Sequence, residues 1–281
     1  MSKWPPPLVT CSWLILLGLV VTALLSPYVV PHNPIRERLI DRLLPPAWAQ
    51  EGEWQYLLGT DHLGRDLVSR MIYGSRVSLV VGLASVIVGG ALGIALGVAS
   101  GFLGGRTDEV IMALADMQLA FPTILLAIAI IAVLGPSFTN LVIVIGISGW
   151  VTYARIARGQ VLSVREKEFV EAIRAQGGSQ WRIIWRHILP NILSPLIVVA
   201  TLDLARTIIL ESTLSFLGLG IQPPTPSWGS MLSDGREYLL SAWWIATFPG
   251  VALMLTALSF NRLGDWIRDL TDPRLRRTEL R

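Results

Sequence analysis

The chain has 281 residues, of which 52% are hydrophobic and only 15% charged, and its mean hydropathy is +0.57. Soluble domains carry about 25% charged residues, so a bilayer is the solvent that suits this surface, and the apolar stretches leave no room for a large soluble catalytic domain. The net charge of +3 comes from 23 basic and 20 acidic residues scattered between apolar runs, which argues against nucleic acid as a partner, and a lone Cys11 excludes a disulfide framework or a Cys-based metal site.

Charge-free runs set the span count. Residues 4–35, 77–105, 117–154 and 238–261 contain no Asp, Glu, Lys or Arg over 32, 29, 38 and 24 residues. About 20 helical residues cross a hydrocarbon core of about 30 Å, so the first, second and fourth runs supply one span each. The third is too long for one helix, and Gly135 and Pro136 near its middle signal a turn. It divides into spans over 119–134 and 141–156. An apolar stretch over 192–209, interrupted by Asp203 and Arg206, completes six. The first run has a single basic residue before it, Lys3, and no small-residue cleavage pattern at its apolar end, so a retained helix is expected rather than a signal peptide. With both termini cytoplasmic, the inner segments hold 15 basic residues and the outer ones seven, as the positive-inside rule favours.

Between the first two spans, Thr60 or Asp61 is placed to cap a helix through Leu67, Val68, Met71 and Ile72, expected to lie against the outer headgroups. Asp61, His62 and Asp66 on one loop lack a fourth donor, so no metal site is expected. In the second span, Gly89, Gly93, Gly97, Gly101 and Gly105 recur every four residues. Positions four apart share a helix face, so a neighbouring backbone is expected to pack closely there.

Residues 155–190, between the fourth and fifth spans, are charged and patterned. Residues 166–176 read as a helix with Phe169, Ala172 and Ile173 on one side; Gly177 and Gly178 permit a turn; Ser179 is a good N-cap; and Trp181, Ile184, Trp185 and Ile188 follow at helical spacing up to Pro190. Two short amphipathic helices joined at a glycine elbow are expected. They suit either the headgroup layer, with Arg174, Arg182 and Arg186 meeting phosphate, or a cytoplasmic protein.

Asp203 and Arg206 stand three apart on the fifth span, with Glu211 beyond. Intramembrane charges face a partner or a cavity, so these three either neutralise one another or border a polar pathway. In the last outer loop, Pro223, Pro224 and Pro226 stiffen the chain and Trp228 is expected at the membrane interface.

The run Glu171-Ala172-Ile173, Gly177 six residues after the Glu, and Leu189-Pro190 with its Pro thirteen after the Gly resembles the EAA loop of ABC importer permeases. Ile173 stands in place of the second Ala, and His187 where an Ile is usual. Residues 59–66 (GTDHLGRD), Ser69-Arg70 and 74–79 (GSRVSL) are similar to the dipeptide, oligopeptide and nickel branch, as are 214–220 (LSFLGLG) and 222–229 (QPPTPSWG), of its second permease type. The resemblance implies an all-α, polytopic type I ABC importer fold of six transmembrane helices. It implies half of a heterodimeric channel in the cell (inner) membrane, completed by a second homologous permease, two ATP-binding subunits or domains, and an external solute-binding protein. It assigns ATPase coupling to Glu171, Ala172, Gly177, Gly178 and Trp181, and leaves Asp203, Arg206 and Glu211 as pathway candidates; no catalytic residue, metal or cofactor is implied. Residues 1–75 are then an N-terminal helix and external loop, 76–265 the transport domain, and 266–281 a cytoplasmic tail. With Lys3 and Lys167 as the only lysines, no GxxxxGK[ST] loop exists in the chain, so ATP hydrolysis belongs to another. An ion-coupled secondary transporter or a channel subunit is the alternative. An intramembrane enzyme is disfavoured because His32, His62 and His187 are far apart and outside the spans.

Overall fold

Backbone N–H and C=O groups find no water in a bilayer core, so apolar segments satisfy them internally as helices. The computed structural model of the protein describes residues 6–271 and contains no strand among them. The helices are α1 (Pro7–Val29), α2 (Leu67–Leu103), α3 (Gly105–Leu119), α4 (Thr123–Leu134), α5 (Phe138–Arg165), α6 (Glu168–Ala175), α7 (Gln180–Ile183), α8 (Leu189–Phe216), α9 (Trp228–Arg236) and α10 (Trp244–Thr271).

Five of these runs are long and apolar enough to cross a membrane: α1, α2, α5, the run from α7 through α8, and α10. The third expected span differs. Instead of one helix over 119–134, α3 and α4 meet at a 90° bend, and only together do they amount to a crossing. With 12 residues, α4 is about 18 Å long, well short of the core. Pro122 forces the bend: it has no N–H to donate, and its ring drives Phe121 out of helical geometry.

The glycine comb packs against α5 at four of its five positions. An added Cβ at Gly89 would lie 2.6 Å from the Gly146 carbonyl oxygen; at Gly93, Gly97 and Gly101 it would lie 2.6, 2.8 and 2.9 Å from the Cβ atoms of Tyr153, Ala157 and Val161. Gly105, the fifth tooth, meets nothing, because α2 has already ended at Leu103 and the chain has turned into α3. Forcing side chains into such an interface costs about 1–3 kcal/mol and more for large ones. Gly97→Leu should therefore lower the unfolding temperature of detergent-solubilised protein, whereas Gly159→Ala, on the open face of α5 with nothing within 4 Å, should change it little; equal effects would contradict this packing.

Three other expectations are corrected. Residues 67–72 form no separate interfacial helix: they are the first turns of α2, capped by Asp66, whose carboxylate accepts the Ser69 N–H at 3.0 Å, and not by Thr60 or Asp61. Trp228 does not face outward as an interfacial anchor would. It is 2% exposed, donates its Nε1–H to the Met71 carbonyl at 3.0 Å, and packs with Leu67, Met231 and Ile245 where α9 closes over the ends of α2 and α10. The second amphipathic helix does not end before Pro190. From α7 the chain widens into a π-turn, Ile184–Ile188, and continues directly into α8. Widening the helix there accommodates a proline ring that would clash with the carbonyl four residues back.

Candidate functional site

The charged insertion is built as a hook between α5 and α8. On α6 the fully buried residue is Val170, with Ile173 half-buried; the expected apolar row of Phe169 and Ala172 is exposed. Likewise Ile183 and Ile188 turn inward, while Trp181 and Trp185 face out. Val170, Ile183 and Ile188 join Phe102 of α2 and Val161 and Val164 of α5 in one core, so the hook is clamped to the ends of three spans. The Arg165 guanidinium donates to the Gly101 carbonyl at 2.7 Å, and Arg174 sits 5.7 Å above the Phe102 ring.

The elbow follows from backbone geometry. Gly177 has φ of +77°, a region that L side chains rarely enter. Its N–H donates to the Arg174 carbonyl at 3.0 Å and that of Gly178 to the Ile173 carbonyl at 2.9 Å, closing the end of α6. Ser179 then accepts the Arg182 N–H at 3.3 Å and starts α7. Glu171, Ala172 and Gly177 are exposed at the tip, Gly178 packs back on Ile173, and Trp181 stands on the flank.

Asp203 and Arg206 do not neutralise each other by a direct ion pair. Asp203 accepts the Tyr153 hydroxyl at 3.0 Å across the α5–α8 contact. Arg206 is exposed, and both residues border a narrow recess with Thr123, Ser148 and Thr207. Arg206 also edges an adjoining recess of about 320 Å³ beside Pro122 and Thr213. Glu211 does not share these spaces. It is fully buried between α2 and α8, accepting the hydroxyls of Ser78 at 3.0 Å, Ser212 at 3.3 Å and Ser215 at 2.7 Å. Interhelical hydrogen bonds in bilayers average only about 0.6 kcal/mol each; Glu211 needs several because a buried carboxyl without partners is far more costly.

Two polar clusters escaped the sequence reading. Asp108 of α3 receives Arg158 of α5 at 2.5 and 2.6 Å and the Ser100 hydroxyl, while Arg155 pairs with Asp116 and Trp150 donates to Gln118 at 2.6 Å; together they strap α3 along α5. On the other side, Asp61 accepts Arg65 at 2.6 Å and pairs with Arg70 at 3.2 Å, and Asp234 of α9 pairs with Arg70 at 3.2 Å and Arg65 at 3.5 Å. Burial pushes the Asp234 carboxyl up, against the attraction of Arg70, His62 and Arg65. Asp61, His62 and Asp234 converge, but the arginines already occupy both carboxylates; Asp66 is apart, capping α2 and facing His32 at 3.4 Å. Apart from the i,i+4 pair Asp61–Arg65, the partners come from different elements, up to 169 positions apart, where local spacing does not reveal them.

Comparison with known proteins gives the same outline. The family described as binding-protein-dependent transport system inner membrane component matches residues 93–277. The chain is 44% identical to the di/tripeptide transport system permease protein DppC of Pseudomonas aeruginosa over 94% of this chain and 87% of that protein. It is also 44% identical to the probable D,D-dipeptide transport system permease protein DdpC of Escherichia coli, over 95% and 88%. A chain of the MetNI methionine ABC transporter, solved in inward-facing conformations, shares the fold with a TM-score of 0.58 at 17% identity, covering 72% of this chain and 97% of that one. A bundle of apolar helices with a clamped, exposed hook therefore belongs, by sequence as well as shape, to the binding-protein-dependent transport system inner membrane components: like the relatives it matches, the chain is a multi-pass permease subunit of an ATP-driven ABC importer and not an enzyme.

Proposed function

We propose that this permease carries short peptides, with the tip of α6 as the handle by which a separate ATPase moves it. The observation that carries this reading is the asymmetry of α6: Val170 is locked into the core of three spans while Glu171 and Ala172 are exposed with Gly177 beyond them. A force on the exposed side reaches α2, α5 and α8 together, as a rigid-body transition requires. Glu171, Ala172, Gly177 and Gly178 form the handle and Trp181 its flank. The excess of basic residues on the segments containing the hook supports cytoplasmic N- and C-termini.

The names of the relatives, one for di/tripeptides and one for D,D-dipeptides, support a peptide cargo. An exposed Arg206 within a span needs water, a solute or a protein partner beside it, which suits a pathway completed by a second homologous permease and fed by an external binding protein. Residues 76–265 form the transport domain and residues 1–75 add α1, the outer loop and the first turns of α2; of the expected tail 266–281, residues 266–271 continue α10, and positions 272–281, like Lys3, lie outside the described residues.

ATP-dependent uptake of a labelled dipeptide into proteoliposomes loaded with ATP tests the reading, with the chain assembled with its ATPase and second permease and the binding protein added outside. Uptake should vanish without the ATPase; full uptake in its absence would overturn the proposal. Arg206→Gln should slow uptake of free dipeptides more than that of carboxyl-amidated ones, which carry no carboxylate for the guanidinium. An equal effect on both would remove Arg206 from the pathway.

A further inference from the structure

Beside the hook lies a surface that shares only Trp181 with the coupling handle. The last turns of α2 and the run from α7 into α8 enclose an open groove of about 750 Å³, lined by Ala91, Ala95, Ala99 and Leu103 on one wall and Trp181 and Trp185 on the other. The two indoles meet edge-on at 5.5 Å and are 69% and 54% exposed. Tryptophans with one apolar and one wet end mark the depth of lipid headgroups.

The charge around the groove has one sign. Arg182 and Arg186 alternate with the tryptophans, both are exposed, and neither guanidinium has an acidic partner among the described residues. From 172 to 202 the chain contains no Asp or Glu, and α2 from Val77 to its end is uncharged. A third guanidinium, Arg174, stands over Phe102, the neighbour of the groove-lining Leu103. Arg65, Arg70, Arg155 and Arg158 are taken up by carboxylate partners, whereas Arg174, Arg182 and Arg186 gather beside one apolar groove without one among the described residues.

We infer that this groove holds an anionic phospholipid of the cytoplasmic leaflet, its acyl chain against the alanine face of α2 between Trp181 and Trp185 and its phosphate held by Arg182 and Arg186. The inference rests on the proposed cytoplasmic side of the hook, where the leaflet carries negative charge. The lipid then keeps the hook at the depth of the headgroup plane while hook and spans move together.

Quenching of tryptophan by brominated lipid tests this on the assembled importer, reconstituted in vesicles of phosphatidylcholine and phosphatidylglycerol with either one brominated. The part of the signal lost in Trp181→Phe/Trp185→Phe reports the groove. Brominated phosphatidylglycerol should be favoured there over phosphatidylcholine by roughly fivefold for each guanidinium engaged. Arg182→Gln/Arg186→Gln should abolish the preference while retaining quenching. Equal quenching by both lipids, a preference that survives the double Arg variant, or no quenching, which would mean that a protein surface fills the groove, each overturns the inference. The side of the membrane is read separately. In a Cys11→Ser background, Gln176→Cys should react with impermeant maleimide from inside-out vesicles alone. Labelling from the opposite face would sink the orientation and coupling reading while leaving a measured lipid preference intact.

Discussion

Gly177→Pro is expected to leave the protein inserted and folded while reducing ATP-driven uptake to background. Proline fixes φ near −65° and has no N–H, whereas Gly177 has φ of +77° and donates to the Arg174 carbonyl. Both features that aim the end of α6 into α7 are lost, so the exposed tip no longer moves as one body with Val170 and the buried core. Gly177→Ala should fall between the two, since the left-handed conformation costs an L residue roughly 1–2 kcal/mol. Glu171→Lys tests the surface instead of the turn: it reverses a charge on an exposed position and should uncouple transport with the elbow intact. The paired readout is uptake in vesicles alongside ATP hydrolysis by the assembled complex. Uptake unchanged in both Gly177→Pro and Glu171→Lys would refute the coupling role of this loop.

The second large effect is expected far from the hook. Asp61 and Arg70 are 1% and 3% exposed and stand 3.2 Å apart, with Arg65 on the same carboxylate. Such a cluster is a weak source of net stability, yet removing one member strands the others; breaking a buried pair costs about 3–5 kcal/mol. Asp61→Ala leaves two guanidiniums in the seam between the outer loop, α2 and α9 with only the partly exposed Asp234 to neutralise them, and should lower the unfolding temperature and the yield of inserted protein sharply. Asp234→Ala should cost less, because that side chain is 31% exposed and water can replace it. Arg70→Met on its own should resemble Asp61→Ala, and combination with Asp61→Asn should recover part of the loss. Thermal unfolding of purified protein in detergent decides the matter; three single variants indistinguishable from the parent would show that the cluster is not structural.

The residues legible in advance share a property. The spans, the glycine comb, the elbow at Gly177 and Gly178, and the cap at Ser179 all depend on neighbours within about a turn of helix, where the spacing of residue types dictates geometry. The faces of α6 and α7 were misjudged because amphipathic spacing identifies a row of apolar residues and not the direction it faces. Of the row Trp181, Ile184, Trp185 and Ile188, only Ile188 is fully buried and the two tryptophans face out, while Ile183, outside the row, is covered by the same core. Trp228 was misplaced for the converse reason, since an indole suited to an interface is equally suited to a core that offers its N–H the Met71 carbonyl.

Composition, periodicity and local turn chemistry thus determined by themselves that this chain is a helical membrane protein with a structured charged loop, because hydrocarbon leaves the backbone few alternatives. Only the tertiary structure decided which polar groups meet. Asp203 finds Tyr153, Glu211 finds Ser78, and Asp61 and Asp234 share Arg70. In a medium that cannot solvate a charge, each such group takes whichever partner the packing of helices brings within reach, and that is a property of three-dimensional assembly that residue spacing does not encode.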